Sequence, residues 1–389
     1  MQDGRETDPA VERWAGAGHS DDSDPARAGE EAVAAAISGE DPRLVVVFAS
    51  PRHSLDALAP AARRAAGTAA LIGGASADDG VSAFALGGRG FSVATAAVGL
   101  AGADSRGAGE RVARGLAQLD SELAHRALIV ITDGQAGDPH EIVRGAYSVA
   151  GATVSLIGGS TGLEGRGSHA ALLRDGQLSS GSVVAAALAS AAPFGVGVRH
   201  GMELHGGPLL VTASRSSAIE TLNDRPALDA YLEALAAPPE TGRHAEAFSA
   251  LALRHPFGVA AARGREAQVR SLIGVDFESR SLRCSGELPA GTLVWLMAGD
   301  SDHLLDATVE ACYEALAPLG DRPPLGLLAF DSVARAGLLG ASGAGEESAG
   351  IGAAASGEPT LAVPTFGEIA RTRGFAGFHS HAVAVLAIG

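Results

Sequence analysis

Cysteine is scarce: Cys284 and Cys312 are the two in 389 residues. Neither sits in a CxxC pair. A disulfide-stapled secreted domain and a cysteine zinc site are both excluded, and a reducing cytoplasm is the expected compartment. Aromatic residues make up only 4%, which leaves little stacking surface for bases or sugars. Basic residues are outnumbered, with 29 Lys plus Arg against 45 Asp plus Glu and a formal net charge of −16. Such a surface repels phosphate backbones and anionic lipid, so no nucleic acid and no membrane is expected as a partner. No run of about 18 apolar residues occurs, so no spanning helix is expected. The apolar stretch 183–192 is too short and Pro193 ends it. The first residues, MQDGRETDPAVERW, lack the apolar centre of a signal peptide.

What is abundant is small and apolar. Hydrophobic residues reach 46% and glycine numbers 53, a composition that packs helices closely on sheets. The length suggests two or three domains. Residues 1–28 are polar and read as a frayed arm, with a short strand near Trp14. A helix over 30–37 leads to a buried strand over 44–49 (LVVVFA), a helix over 54–66 and a strand over 69–73. Residues 81–86 and 91–98 read as a hairpin around Gly87 and Gly88. The pattern then returns. A strand over 127–132 (ALIVIT) precedes a helix over 138–145, with Asp138 as N-cap and Pro139 in its first turn. A strand over 154–158 follows, and strands over 171–173 and 183–188 flank a polar turn. LIGGASADDG at 71–80 and LIGGSTGLEG at 156–165 share four leading positions and a final glycine. An internal duplication of about 44–100 and 127–190, two β-α-β-β-β halves, accounts for this.

A different section opens near Arg225. Residues 226–236 form an amphipathic helix stopped by Pro238 and Pro239. Strands are expected over 257–262, 268–277, 282–285 and 292–297, then a long helix over 301–317 and a buried strand over 325–330. The Gly/Ala/Ser-rich stretch 337–357 reads as a loop or a weak helix. An alternating strand over 379–388 closes the chain.

Few motifs carry chemistry. The Gly73-Gly74 and Gly158-Gly159 turns could present backbone N–H groups to an anion or carboxylate, or could simply be tight turns. Ser76, Asp78, Asp79, Ser160 and Thr161 stand beside them. GGSTG at 158–162 has the letters of a GxSxG nucleophile elbow, but no helical period follows the serine. His379 and His381, two apart on a strand, would share a face and could hold a metal with Glu368; the alternative is hydrogen bonding at a domain seam. Both cysteines read as buried and structural. Glu346 and Glu347 read as a solvated surface or a helix start and not as a general acid and base. Glu368, held between Phe366 and Ile369, reads as a buried carboxylate that needs a partner: a ligand amine, or Arg335 or Arg371.

These segments, in this order, resemble the FIST (F-box and intracellular signal transduction) family over about residues 30–389. The carrying pieces are LVVVFAS (44–50), the two Gly-Gly sites and GGPLLVTASRSSAIETLNDRPALDAYLEAL (206–235). In the second module they are VRSLIGVDFESRSLRCSGELPAGTLVWLMAGD (269–300), LGLLAFDSVAR (325–335) and FGEIARTRGFAGFHSHAVAVLAI (366–388). The stretch Asp331-Ser332-Val333-Ala334-Arg335 departs from the family, which often has Cys or Ser and then Gly-Arg there. The resemblance implies a mixed α/β sensory protein: a FIST N-like module over 29–224 and a FIST C-like module over 225–389, binding small ligands such as amino acids. We expect a cleft between the modules. The Gly-Gly backbone and Ser76 and Ser160 would meet a carboxylate, Glu368 or Asp331 an amine, and Arg335 an acidic group, with His379 and His381 nearby. No cofactor is expected. A separate signalling output protein and a homo-oligomer are both open as partners. The rival reading is a metal-dependent hydrolase or transferase using His379, His381 and Glu368.

Overall fold

A computed structural model of the chain describes residues 12–77, 79–100, 104–162, 171–259, 267–371 and 377–389. The architecture is mixed α/β, with eight α-helices and four sheets among those residues.

The first sheet grows from β1 (Trp14–Ser20), α1 (Pro25–Ala36), β2 (Pro42–Ala49), α2 (Leu55–Ala66), β3 (Ala70–Ala75) and β4 (Val81–Gly87). Its order is β1-β4-β2-β3: β2 and β3 are parallel, joined across α2, and β4 inserts antiparallel beside β2. The β-branched run of β2 suits such a central strand. Asp24 caps α1 from its side chain, with Pro25 at the first helical position.

The second sheet comes from β5 (Phe91–Gly99), α3 (Ser105–Ala113), β6 (His125–Asp133), α4 (Pro139–Ala150), β7 (Ser155–Thr161), β8 (Ala171–Arg174), β9 (Gln177–Ser180) and β10 (Ser182–Ser190). Its order β5-β10-β6-β7 repeats the first, and the β8–β9 hairpin extends β3 of the first sheet.

The rest of the chain runs through β11 (Phe194–Arg199), β12 (Glu203–Arg215), β13 (Ala218–Leu222), β14 (Arg225–Pro226), α5 (Ala227–Ala234), α6 (Ala245–Arg254), β15 (Phe257–Val259), β16 (Gln268–Arg270), β17 (Leu272–Asp276), β18 (Ser281–Cys284), β19 (Leu293–Ala298), α7 (Ser301–Leu316), β20 (Gly326–Ser332), α8 (Val333–Ala354), β21 (Thr360–Thr365), β22 (Glu368–Ala370), β23 (Phe378–His379) and β24 (Val383–Ile388). The third sheet, β11-β24-β20-β21, shows the same order a third time, with β20 and β21 parallel. The fourth, β16-β15-β19-β12-β13-β18-β17, packs Tyr231 and Phe248 of α5 and α6 over Phe257. Strands from both sides of residue 225 share sheets: β22 pairs with β7, and β11 with β24.

One apolar cluster joins the first three sheets. Val46, Phe48, Ile129, Ile131, Ile157, Leu328, Phe330 and Leu386 all belong to it. Phe48 and Phe330 meet edge-on, with ring centroids 6.3 Å apart.

Several expectations are corrected. Of the arm, residues 1–11 lie outside the described residues; the strand expected near Trp14 is β1 (14–20), but α1 begins already at Pro25, so 25–28 are helical and not frayed. Trp14 fills the space over Gly39 and Gly87, where any Cβ would collide with its ring, and donates to the Glu40 carbonyl at 2.7 Å. Strands β4 and β5 make no hairpin. Gly88 (φ 90°) and Gly90 (φ 86°) turn the chain out of one sheet and into the next. Residues 174–182 are no simple turn: Asp175-Gly176, both at positive φ, make the tight β8–β9 hairpin. Residues 268–277 split at Ser271 into strands that pair with different partners. The stretch 337–357 lies largely in α8, kinked at Gly340. The closing strand breaks at His381, whose φ is 55°.

Candidate functional site

Both Gly-Gly pairs lie inside strands and not at turns, because β3 runs on to Ala75 and β7 to Thr161. Ladders flank them on both sides. Gly73 pairs with Val47 and Leu173, and Gly159 with Ile131 and Glu368. Their glycines are there for clearance. A Cβ on Gly73 would fall 1.8 Å from the Val47 carbonyl oxygen, and one on Gly158 would fall 1.7 Å from that of Val130. A Cβ on Gly74 would meet Leu172, and one on Gly159 would meet Thr365 at 2.4 Å. The first-sheet and second-sheet ends therefore press against β21. Ser76 donates to the Pro364 carbonyl at 3.4 Å, and Ser160 exchanges backbone hydrogen bonds with Phe366 and Gly367. Ser160 accepts from Thr132 at 3.2 Å and is buried within β7, which is not the exposed strand-to-helix bend a nucleophile elbow requires. Asp78 lies outside the described residues. Asp79 is exposed and 3.3 Å from Arg52.

The charged centre forms where β20 runs into α8. Arg335 is fully buried and every guanidinium nitrogen is engaged. Nε donates to Asp331 at 3.1 Å, Nη1 to the His200 carbonyl at 3.0 Å, and Nη2 to Leu304, Thr308 and Glu347. It is thus tied into the fold by ion pairs with Asp331 and Glu347, and the ion pair expected for Glu368 with Arg335 or Arg371 does not form among the described residues. Glu347, read as a surface residue, is buried here, while Glu346 is exposed. The signal for it lies in α8 itself: Arg335, Leu339, Gly343, Glu347 and Ile351, each four apart, are its buried residues. Two of the five are charged, so an apolar-periodicity reading passes over the stripe.

Glu368 sits on β22, fully buried. Its Oε1 accepts from Thr365 at 3.1 Å and its Oε2 from the Ala382 N–H at 3.1 Å; no cation pairs with it among the described residues. Arg371 instead lies over the Tyr147 ring. Burial first, and then the nearby Asp331, push the Glu368 carboxyl well above its usual range. Asp331 is pushed up as well, by burial and then by Glu347, against the pull of Arg335. Thr365, unremarked in the sequence, bridges the Asp331 carbonyl (3.3 Å) and Glu368.

The histidines do not share a face. His379 Nε2 contacts the Ala370 carbonyl at 2.9 Å. His381, after the strand break, contacts Ser271 Oγ through Nδ1 and the Leu253 carbonyl through Nε2, both at 3.0 Å. Burial pulls both imidazoles down to about 4. Among the described residues no three His, Cys, Asp or Glu side chains gather as a metal would need. Cys284 and Cys312 are buried, with thiols pushed up to about 12 by burial. Two depressions, of about 600 and 300 Å³, open at Leu232–Arg280 and beside Trp14; neither touches Gly73, Gly158, Asp331 or Glu368.

Fold and site together define a mixed α/β protein with a buried, acid-rich centre. The chain belongs to the FIST family: residues 43–225 match the FIST N domain and residues 227–371 the FIST C domain. That family is associated with signal transduction and small-ligand sensing. No curated protein matches the chain. Among solved structures, it is similar to cyanuric acid hydrolase from A. caulinodans at 14% identity, over 47% of this chain and 71% of that one, with a TM-score of 0.30. It is also similar to a chorismatase at 10% identity, over 97% and 98%, with a TM-score of 0.37. No helix among the described residues is long and apolar enough to cross a membrane.

Proposed function

We propose that this chain is a cytoplasmic sensory protein that recognises an amino acid or a related amine-bearing metabolite without transforming it, and passes the signal to a separate output protein. One observation carries the reading: among the described residues, three carboxyl groups, Asp331, Glu347 and Glu368, are gathered with a single guanidinium, Arg335. The deficit of positive charge is met by protons or by an entering cation. Asp331 keeps 15% of its side chain exposed, so an ammonium group reaches it first, with Glu368 and Thr365 behind. Arg335, held from all sides, positions Asp331 and does not meet the ligand.

The test is calorimetry of the full chain at pH 7 with amino acids and with methylamine, each in two buffers of different ionisation enthalpy. Binding is expected to release protons from the centre. Asp331→Asn and Glu368→Gln are each expected to weaken it by about tenfold or more, the worth of one charged hydrogen bond. Absence of binding by every amine, or binding that releases no proton and survives both substitutions, sinks the proposal. Recovery of the ligand unchanged after prolonged incubation checks that no chemistry occurs.

A further inference from the structure

The third sheet repeats the order of the first, with one large difference. In the first, β1 leads to α1 through residues 21–24. In the third, the equivalent connection, from β11 to α7, carries the whole of the fourth sheet together with α5 and α6. The chain leaves the body at Glu203 and returns at Ala298, and these two residues pair with each other. The lobe between them has a core of its own, which includes Val211, Leu222, Tyr231, Phe257 and Leu296. Both crossings carry glycine. Gly201 has φ 70°, and a Cβ on Gly299 would fall 2.7 Å from the Gly201 carbonyl oxygen, so the two crossings run side by side.

The lobe meets the body over a mixed seam. Met202 at the crossing and Leu304 and Leu339 of the body pack against Val269 and Met297 of the lobe. Hydrogen bonds cross beside them. His200 Nε2 donates to the Ala267 carbonyl at 2.9 Å, and His381 Nε2 to the Leu253 carbonyl at 3.0 Å. His381 Nδ1 contacts Ser271 Oγ, and Ser380 Oγ contacts Ser285 Oγ, both at 3.0 Å. Gly286 presses on α4, where a Cβ would fall 2.8 Å from His140 Nε2, with Arg270 Nε at 3.1 Å. The same seam residues frame the acid-rich centre. Arg335 donates to the His200 carbonyl, and the Ala382 N–H, next to His381, holds Glu368. Leu253, in the last turn of α6, lies against Gly337 near the start of α8, close behind Asp331. Glu368 is fully buried, so a solute reaches it only when its cover moves. Polar contacts at a seam exchange for water at little net cost, and each side keeps its own core, so such a junction opens before either side unfolds.

We infer that the lobe between Glu203 and Ala298 is a hinged cover over the acid-rich centre: it turns about Gly201 and Gly299, and Ser380 and His381 latch it shut. The hinge stands on topology and packing. Its use, to admit an amine to Asp331 and Glu368, rests on the function proposed above.

The first experiment follows the hinge in the full chain without any ligand. Ser380→Cys puts a thiol in the seam, where Ser380 is buried. Cys284 lies in the core of the lobe and Cys312 in that of the third sheet, so the chain carries its own references. In native buffer, N-ethylmaleimide is expected to label the introduced thiol at least about tenfold faster than either reference. Equal rates for all three mean that the seam opens only by global unfolding, and overturn the hinge. If the variant does not fold, hydrogen exchange of the unaltered protein decides it. The Ala382 N–H is expected to exchange faster than those of Leu328 in the third sheet and Val211 in the lobe; equal exchange overturns the hinge. The second experiment tests its use. In the double variant Ser285→Cys, Ser380→Cys, diamide oxidation ties the lobe to the body, since the two native hydroxyls are 3.0 Å apart. The oxidised form is expected to lose the proton-releasing binding of amines, and reduction to restore it. Binding that is the same in both forms overturns the cover's role. If the unaltered chain binds no amine, the function proposed above falls, and the labelling rates alone decide the hinge.

Discussion

Two buried polar regions of this protein err in opposite directions. Where β20 enters α8, three carboxyls surround one guanidinium, and all but Glu368 touch it or its hydrogen-bond partners. At the seam of α4 and β16, the Arg270 guanidinium bonds to the Val269 carbonyl and Gln268 and to no carboxylate among the described residues. Arg335 is a cation that two acids, Asp331 and Glu347, require; Arg270 is a cation with no described acid to require it. Burial alone therefore does not identify what a charged residue is for. The count of opposite charges around it does.

The sharpest way to break this contrast is to remove each cation in turn. Arg335→Met leaves Asp331 and Glu347 buried without their counter-ion, and we expect a loss of about 3–5 kcal/mol in urea unfolding. Arg270→Met removes a half-buried charge with no carboxylate beside it among the described residues, and we expect a change within about 1 kcal/mol of zero, or a gain. Equal losses from the two substitutions would end the distinction.

Acid titration sharpens the comparison. His200, His379 and His381 are buried, with imidazoles pulled down to about 4 by burial. A folded-state pKa below the unfolded value of about 6.5 contributes stability that is complete above pH 6.5 and lost as pH falls toward 4. Each of the three is worth about 3 kcal/mol over that window. The carboxyls of Asp331 and Glu368 carry the opposite sign, since their folded values are raised. Their contribution is present below the ordinary carboxylate range and lost as pH rises through the folded values. Glu368→Gln removes one of these opposing contributions. We therefore expect the variant to lose stability more steeply than the unaltered chain as pH falls from 6.5 to 4, read from urea midpoints across the range. A variant slope that matches the parent would show that Glu368 is not held protonated.

Much of the scaffold is legible along the chain. The β-branched runs at 44–49, 127–132 and 325–330 become β2, β6 and β20, because a strand buried on both faces needs apolar residues throughout. Glu368 reads as a buried carboxyl from its apolar neighbours. What escapes is pairing at a distance. Nothing near Val81 or Phe91 says that β4 and β5 belong to different sheets, since their nearness in sequence suggests a hairpin. Likewise, His140 and Arg270 are 130 positions apart and meet only through the seam. The stripe of α8 escapes for another reason: glycine lowers helix propensity, so its repeat of four is hidden by composition.

A further effect belongs to α8 itself, and it asks whether the acid-rich centre depends on the helix's shape. Gly340 has φ 65° and ψ −178° inside the helix, and a Cβ there would meet nothing within 4 Å. The kink falls between Arg335 and Glu347, which nonetheless meet. A residue with a side chain disfavours this conformation but has room for its atoms, so Gly340→Ala bears a backbone cost alone, about 1–3 kcal/mol. Urea unfolding is expected to show that small loss with the proton release on amine binding unchanged, because the Arg335 contacts lie on either side of the kink. If the substitution instead straightens α8, Glu347 swings away from Arg335 and the loss approaches that of Arg335→Met. The kink would then be what brings the third carboxyl to the single cation, and the imbalance between the two regions would be a property of helix geometry as much as of residue choice.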